Sequence, residues 1–137
     1  MKREEGGGHA DRARILCADD DGRVLLSIAG MLTYTGYAVT TAVNGREAWM
    51  ELQARHFDLL ITDDEMPELD GAGLATRARL EHLTLPIIVM SGAPGFEAKF
   101  NGELFEDITL MRKPFTSAEL LDAIEQVLGP AKAGGGS

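Results

Sequence analysis

Five short apolar runs, each ended by polar residues and separated by stretches with helical spacing, leave this chain few folds to choose from. Arg14-Ile15-Leu16-Cys17-Ala18 stops at Asp19-Asp20-Asp21, and Asp58-Leu59-Leu60-Ile61-Thr62 stops at Asp63-Asp64-Glu65. Pro86-Ile87-Ile88-Val89-Met90 stops at Ser91-Gly92, and Ile108-Thr109-Leu110-Met111 runs up to Lys113-Pro114. Tyr37-Ala38-Val39-Thr40-Thr41 is rich in β-formers and supplies the remaining strand. Between the strands, Gly22–Thr35 carries Val24, Leu25, Ile28 and Leu32 on one helical face, with Gly36 placed to end it. Asn44 is suited to cap a helix holding Ala48, Trp49 and Leu52. After the turn-rich Met66-Pro67-Glu68-Leu69-Asp70-Gly71, a helix runs to about Leu83 with Leu74, Ala78 and Leu83 inward. Phe96, Phe100 and Leu104, spaced by four, predict a short helix that Gly102 weakens. Ser117 caps a last helix with Leu120, Leu121, Ile124, Val127 and Leu128, stopped by Gly129-Pro130. This alternation predicts an α/β fold, a doubly wound five-stranded parallel sheet with helices on both faces. At 137 residues the chain suffices for one domain, expected over 13–129. The polar, Gly-rich ends, 1–12 and 130–137, are expected to be flexible tails.

In open parallel sheets, ligands bind outside the carboxyl ends of the strands. That rule selects Asp19 and Asp20 after the first strand, Asp63 after the third, Ser91 after the fourth and Lys113 after the fifth. Three acids, a hydroxyl and a lysine would converge on one crevice. Clustered carboxylates repel one another unless a proton or cation intervenes. Oxygen donors with room for water suit Mg²⁺, which leaves coordination positions open to phosphate oxygens. Lys113 supplies a counter-charge, and a carboxylate is a competent nucleophile toward phosphorus. The net charge of −9 and the lack of a dense Lys/Arg stripe argue against direct nucleic-acid binding. No apolar run reaches the ~18 residues that span a bilayer, so no membrane insertion is expected. The N-terminus lacks the apolar segment of a secretory signal. The single Cys17 forms no internal disulfide, in keeping with a cytoplasmic protein, and reads as a core residue. His9, His56 and His82 lack metal-ligand spacing and read as surface residues, whereas Trp49 and Phe57 read as core or core edge.

Ile15-Leu16-Cys17-Ala18-Asp19-Asp20-Asp21, Asp63-Asp64-Glu65-Met66-Pro67 with Asp70-Gly71, Val89-Met90-Ser91-Gly92-Ala93, and Lys113-Pro114-Phe115 resemble the response-regulator receiver (CheY-like) family of two-component signalling. The four motifs lie in order, at strand ends, across about 14–129. The resemblance implies strand order 2-1-3-4-5. It implies that Asp63 is the phospho-acceptor, and that Asp20 binds Mg²⁺ directly and Asp19 mainly through water. The backbone carbonyl of Glu65 would be a further ligand. Ser91 would contact a phosphoryl oxygen and report occupancy by swinging inward, and Lys113 would pair with the phosphoryl group. The implied partners are a sensor histidine kinase or histidine phosphotransfer protein and an unidentified downstream protein. Small phosphoryl donors and autodephosphorylation are the only turnover chemistry implied; the domain is not otherwise an enzyme. Asp64, one residue past the acceptor, should face away from the cleft, because strand side chains alternate. A tight turn at the site favours a cis bond at Lys113-Pro114.

The chain departs from the family pattern in two places. Leu110 stands where an aromatic residue often precedes the lysine by three, so an aromatic switch is not assumed. Glu106-Asp107 replaces a small pair before the fifth strand. These bear on the output face, which the resemblance builds from the fourth helix, fifth strand and fifth helix. Two other readings stand beside this one. Asp19-Asp20-Asp21-Gly22 fits the acid-x-acid-Gly signature of a small haloacid-dehalogenase-like phosphatase, with Asp19 as nucleophile and Asp21 as general acid; otherwise Asp21 simply caps the first helix. The second is a degenerate receiver that serves only as a docking module. With no space for an output domain after Leu128, the expectation is a single-domain regulator or a receiver excised from a larger chain.

Overall fold

The structure, a computed structural model, describes residues 12–129. The tails expected at either end fall outside the described residues, apart from Arg12, and so does His9. The order of elements is β1 (Arg14–Ala18), α1 (Gly22–Thr35), β2 (Ala38–Ala42), α2 (Gly45–Ala54), β3 (Leu59–Asp63), α3 (Gly71–Leu80), β4 (Ile87–Ser91), two 3₁₀ turns (Phe96–Lys99 and Glu103–Phe105), β5 (Ile108–Arg112) and α4 (Ser117–Leu128). All strand pairs are parallel, in the order β2-β1-β3-β4-β5. This is the doubly wound sheet that the alternation predicts, and every strand boundary lies within a residue or two of its expected place.

The central strands β1, β3 and β4 are buried over nearly their whole length and carry apolar runs, Ile15–Ala18, Leu59–Ile61 and Ile87–Met90, because both faces are covered. Alternation sorts their side chains into two layers. Ile15, Cys17, Leu59, Ile61, Ile88 and Met90 face Leu25, Ile28 and Leu32 of α1 and Leu120 and Ile124 of α4. Leu16, Leu60, Ile87 and Val89 face Ala48 and Leu52 of α2, Leu74 and Ala78 of α3, and the two 3₁₀ turns. Cys17 is fully buried, and burial together with the nearby Asp19 charge pushes its thiol up to about 12. Phe57 is buried and Trp49 half-buried against the same core, while His56 and His82 are exposed.

Three expectations are corrected by the structure. No α-helix forms between β4 and β5 among the described residues. The spacing of Phe96, Phe100 and Leu104 is helical, but Gly95 and Gly102 adopt positive φ (73° and 98°) and divide the stretch into two 3₁₀ turns. Phe105 replaces Leu104 inside: Phe96 and Phe100 pack edge-on at 6.3 Å, Phe100 and Phe105 at 5.3 Å, and Leu104 is exposed. The cap of α4 is Thr116, one residue before Ser117. Its hydroxyl accepts from the Glu119 N–H (3.1 Å), and the Glu119 carboxylate accepts from the Thr116 N–H (2.7 Å). A Ser117 cap would have put Leu120, which cannot reciprocate, at the third helical position. Finally, α3 stops at Leu80. The chain leaves through His82 at φ 64°, and Leu83 packs at the core edge.

Candidate functional site

The β1 carboxyl end turns into α1 through Asp21, whose carboxylate accepts the Arg23 and Val24 N–H groups at 3.0 and 3.4 Å. Asp19 Oδ1 accepts the Asp21 N–H at 2.9 Å, which aims its buried side chain back across the sheet end. Asp63 closes β3, and carboxylate oxygens of Asp19, Asp20 and Asp63 all lie within 4.8 Å of one another. Lys113, just past β5, donates from Nζ to Asp63 Oδ1 at 2.6 Å and stands 3.8 Å from Asp19 Oδ2. Ser91, at the end of β4 and fully buried, donates from Oγ to Glu65 Oε2 at 2.5 Å and accepts the Ala93 N–H at 3.0 Å. The Lys113 N–H donates to the Ser91 carbonyl (2.8 Å), tying the last two strand ends together, and the Lys113-Pro114 peptide is cis. Asp19, Asp20, Asp63 and Lys113 therefore meet in one place, and Ser91 is tied to it through Glu65 and the Lys113 amide.

The electrostatics are those of a site short of positive charge. Burial pushes Asp63 up to about 6; Lys113 pulls the other way, and the Asp19 and Glu65 charges add to the rise. Asp19 is raised chiefly by its burial. Burial alone would lower Lys113, but its hydrogen bond to Asp63 and the surrounding carboxylates outweigh this and raise it. Asp19 Oδ2 is buried and accepts no hydrogen bond. An orphaned carboxylate oxygen beside two further carboxylates is a donor set that suits a hard divalent cation such as Mg²⁺.

Asp64 shows how the neighbouring acid is disposed of. Its N–H bonds the Met90 carbonyl (2.8 Å), so strand alternation continues through it and its side chain turns to the opposite face. There Oδ1 accepts the Ala72 N–H at 3.0 Å and Oδ2 accepts from Lys99 Nζ at 2.7 Å; Lys99 also reaches Asp70, the N-cap of α3, at 3.3 Å. A Cβ at Gly71 would come within 2.8 Å of the Asp63 carbonyl oxygen and 2.9 Å of Asp64 Cα, so a glycine is needed where α3 starts against the strand end. Two contacts escaped sequence reasoning: the Lys99–Asp64 pair and the bond from Ser91 to the Glu65 carboxylate. The acidity of Glu65 was visible, but its partner lies 26 residues away; Lys99 lies 35 residues from Asp64 and carries no local signal.

The raised Asp63 predicts a pH-dependent stability difference. A carboxyl whose folded pKa exceeds its unfolded value contributes stability at low pH that is lost as pH rises through the folded value. Here that window runs from 3.8 to about 6. Without divalent cations, Asp63→Asn should equal the wild type near pH 4 and exceed it above pH 6, by up to about 3 kcal/mol at 1.36 kcal/mol per unit. Urea denaturation in chelator at the two pH values measures it, and parallel curves would contradict it.

The chain matches the family described as response regulator receiver domain over residues 15–125. It is 36% identical over 115 residues to the response regulator receiver protein CpdR of Brucella abortus, covering 84% of this chain and 96% of that protein. It is 34% identical over 116 residues to the transcriptional regulatory protein PrrA of Mycobacterium bovis, covering 84% of this chain and 49% of that longer protein. The fold superposes on the Thermotoga maritima response regulator TrrA, solved in complex with Mg²⁺ and BeF, with a TM-score of 0.76 at 27% identity, covering 85% of this chain and 99% of that one.

Proposed function

The chain belongs to the response regulator receiver family, and from that premise we propose that it accepts a phosphoryl group on Asp63 with Mg²⁺ bound beside it. The observation that carries this reading is the meeting of Asp19, Asp20 and Asp63 with Lys113 at one sheet end. Asp19, Asp20, Asp63 and the Glu65 carbonyl would hold the cation, which supplies charge neutralisation for the phosphoryl oxygens. The Asp63 carboxylate attacks phosphorus of a phosphohistidine on a sensor kinase or phosphotransfer protein. The new O–P bond forms as the P–N bond breaks, and the imidazole leaves with the bonding pair. Lys113 gives up its contact with Asp63 Oδ1 and pairs with a phosphoryl oxygen, so positive charge is already in place as negative charge arrives. Ser91 donates its hydroxyl proton to another phosphoryl oxygen. Small phosphoryl donors could serve the same nucleophile, and the reaction belongs in the cytoplasm, where such kinases present their phosphohistidines.

The phosphatase alternative finds no support in the fold: Asp21, its general acid, has its carboxylate engaged by the amides at the start of α1. Incubation with acetyl phosphate and Mg²⁺, followed by mass spectrometry, tests the proposal. One hydroxylamine-labile phosphoryl per chain, mapped to Asp63 and not formed when chelator is present from the start, is expected. Catalytic turnover of a generic phosphate ester without labelling of Asp63 would overturn it, and intact Asp63 under all donors would favour the docking-module reading.

A further inference from the structure

Ser91 has one hydroxyl proton, and Glu65 holds it. Oγ donates to Glu65 Oε2 at 2.5 Å while accepting from the Ala93 N–H at 3.0 Å. A serine hydroxyl is a single donor, so while that bond stands Ser91 has nothing to offer a phosphoryl oxygen on Asp63. The bond is charge-assisted, the stronger kind. The two partners differ in freedom. Ser91 is fully buried and fixed at the end of β4, paired in register with Arg112, whereas Glu65 lies on the exposed loop after β3 and has solvent to move into. Glu65 also faces the reacting groups closely enough for its charge to act on both Asp63 and Lys113. A phosphoryl group carries ~1.5–2 negative charges in place of the single charge of the Asp63 carboxylate, so negative charge at this spot rises and opposes the Glu65 carboxylate as it competes for the same proton.

We propose, resting on the reading of Asp63 as phospho-acceptor, that Glu65 is a positioning residue: its carboxylate holds the Ser91 hydroxyl in the unphosphorylated chain and competes with the phosphoryl group for it. Ser91 is thereby kept pointing to the loop that follows the acceptor, and part of the interaction that would otherwise favour the phosphorylated state is spent releasing Glu65. The backbone of Glu65 and its side chain then have opposite effects, the carbonyl helping to hold the cation and the carboxylate resisting the phosphoryl group.

The test is titration of the full chain with beryllofluoride in excess Mg²⁺, using wild type, Glu65→Ala, Glu65→Gln, Ser91→Ala and the Glu65→Ala/Ser91→Ala pair. Glu65→Ala should bind about tenfold more tightly, the scale of one hydrogen bond to a charged group removed from the competing state. Glu65→Gln, which keeps an acceptor but no charge, should fall between, and it also serves if the alanine variant folds poorly. In the Ser91→Ala background the gain should shrink to the part that comes from removing a repelling charge, because no hydroxyl remains to compete for. An equal gain in both backgrounds would reduce Glu65 to a repulsive charge and overturn the proposal, as would no gain at all. A second readout needs no phosphoryl mimic: the Ala93 amide resonance should move in Glu65→Ala and return toward its original position in Glu65→Gln, and an unmoved amide would show that the contact is not made. Wild type that neither binds beryllofluoride nor is labelled on Asp63 would overturn the receiver chemistry itself and this inference with it. Binding and labelling without the coupling would overturn the role of Glu65 alone.

Discussion

Asp63→Asn should lower phosphoryl labelling to background while leaving the far-ultraviolet circular dichroism unchanged. The amide is a poor nucleophile, and the carboxylate next in sequence cannot replace the missing one. Asp64 is adjacent in sequence but is turned to the opposite face, buried, with its two oxygens engaged by the Ala72 amide and Lys99. Asp19 has Oδ1 committed to the Asp21 amide. The fold should not suffer, because the side-chain amide introduced by Asp63→Asn keeps an oxygen to accept from Lys113 and removes one of three mutually repelling carboxylates. Mass spectrometry after exposure to acetyl phosphate and to a cognate kinase reads the outcome. Labelling at the wild-type level would place the nucleophile elsewhere, with Asp19 the first residue to examine.

The largest loss of stability from a single methyl group is expected at Gly45, where α2 begins against the loop that follows Asp63. A Cβ there would lie 1.8 Å from the Leu69 carbonyl oxygen and 2.7 Å from Leu69 C and Cβ. Both sides of the clash are main chain or anchored to it, so no rotamer change relieves it; either the start of α2 or the loop from Met66 to Asp70 must move. The cost should reach about 3 kcal/mol or more, the upper end for overpacking. Gly30→Ala is the matched control. Gly30 is exposed in the middle of α1, and a Cβ there meets nothing within 4 Å. It should gain about 0.5–1 kcal/mol from helix propensity alone. Thermal melts of the two variants should therefore move in opposite directions. A Gly45→Ala protein as stable as wild type would mean that α2 and the acceptor loop do not approach as closely as described.

The contrast between these two glycines indicates where sequence reasoning reaches and where it stops. Period-two alternation separated Asp63 from Asp64 without a structure, because strand geometry is local. The strand-end rule gathered Asp19, Asp20, Ser91 and Lys113 because a parallel sheet places all its carboxyl ends along one edge. Both arguments need only the type of element. The approach of Gly45 to Leu69, the reach of Lys99 to Asp64 and the bond from Ser91 to Glu65 depend on how elements pack, and no local pattern encodes that. The stretch between β4 and β5 failed differently. Its aromatic spacing was helical, but the left-handed backbone at Gly95 and Gly102 overrode it, so the aromatic packing passes through Phe96, Phe100 and Phe105. Leu110, which stands where the family often has an aromatic residue, is half-buried against the core layer that holds Phe96 and Phe100.

The contact between Lys113 and Asp63 spans 50 residues of chain and joins the third strand to the end of the last. In kinetic terms it is a late event: closing a long loop costs entropy that only the completed sheet repays, and parallel pairings of this kind form slowly. During synthesis Asp63 emerges well before its counter-charge, and until β5 docks beside β4 the acceptor carboxylate has no Lys113 to balance an incoming phosphoryl group. On the proposed reading of Asp63 as acceptor, competence to take up a phosphoryl group would therefore come with the docking of β5.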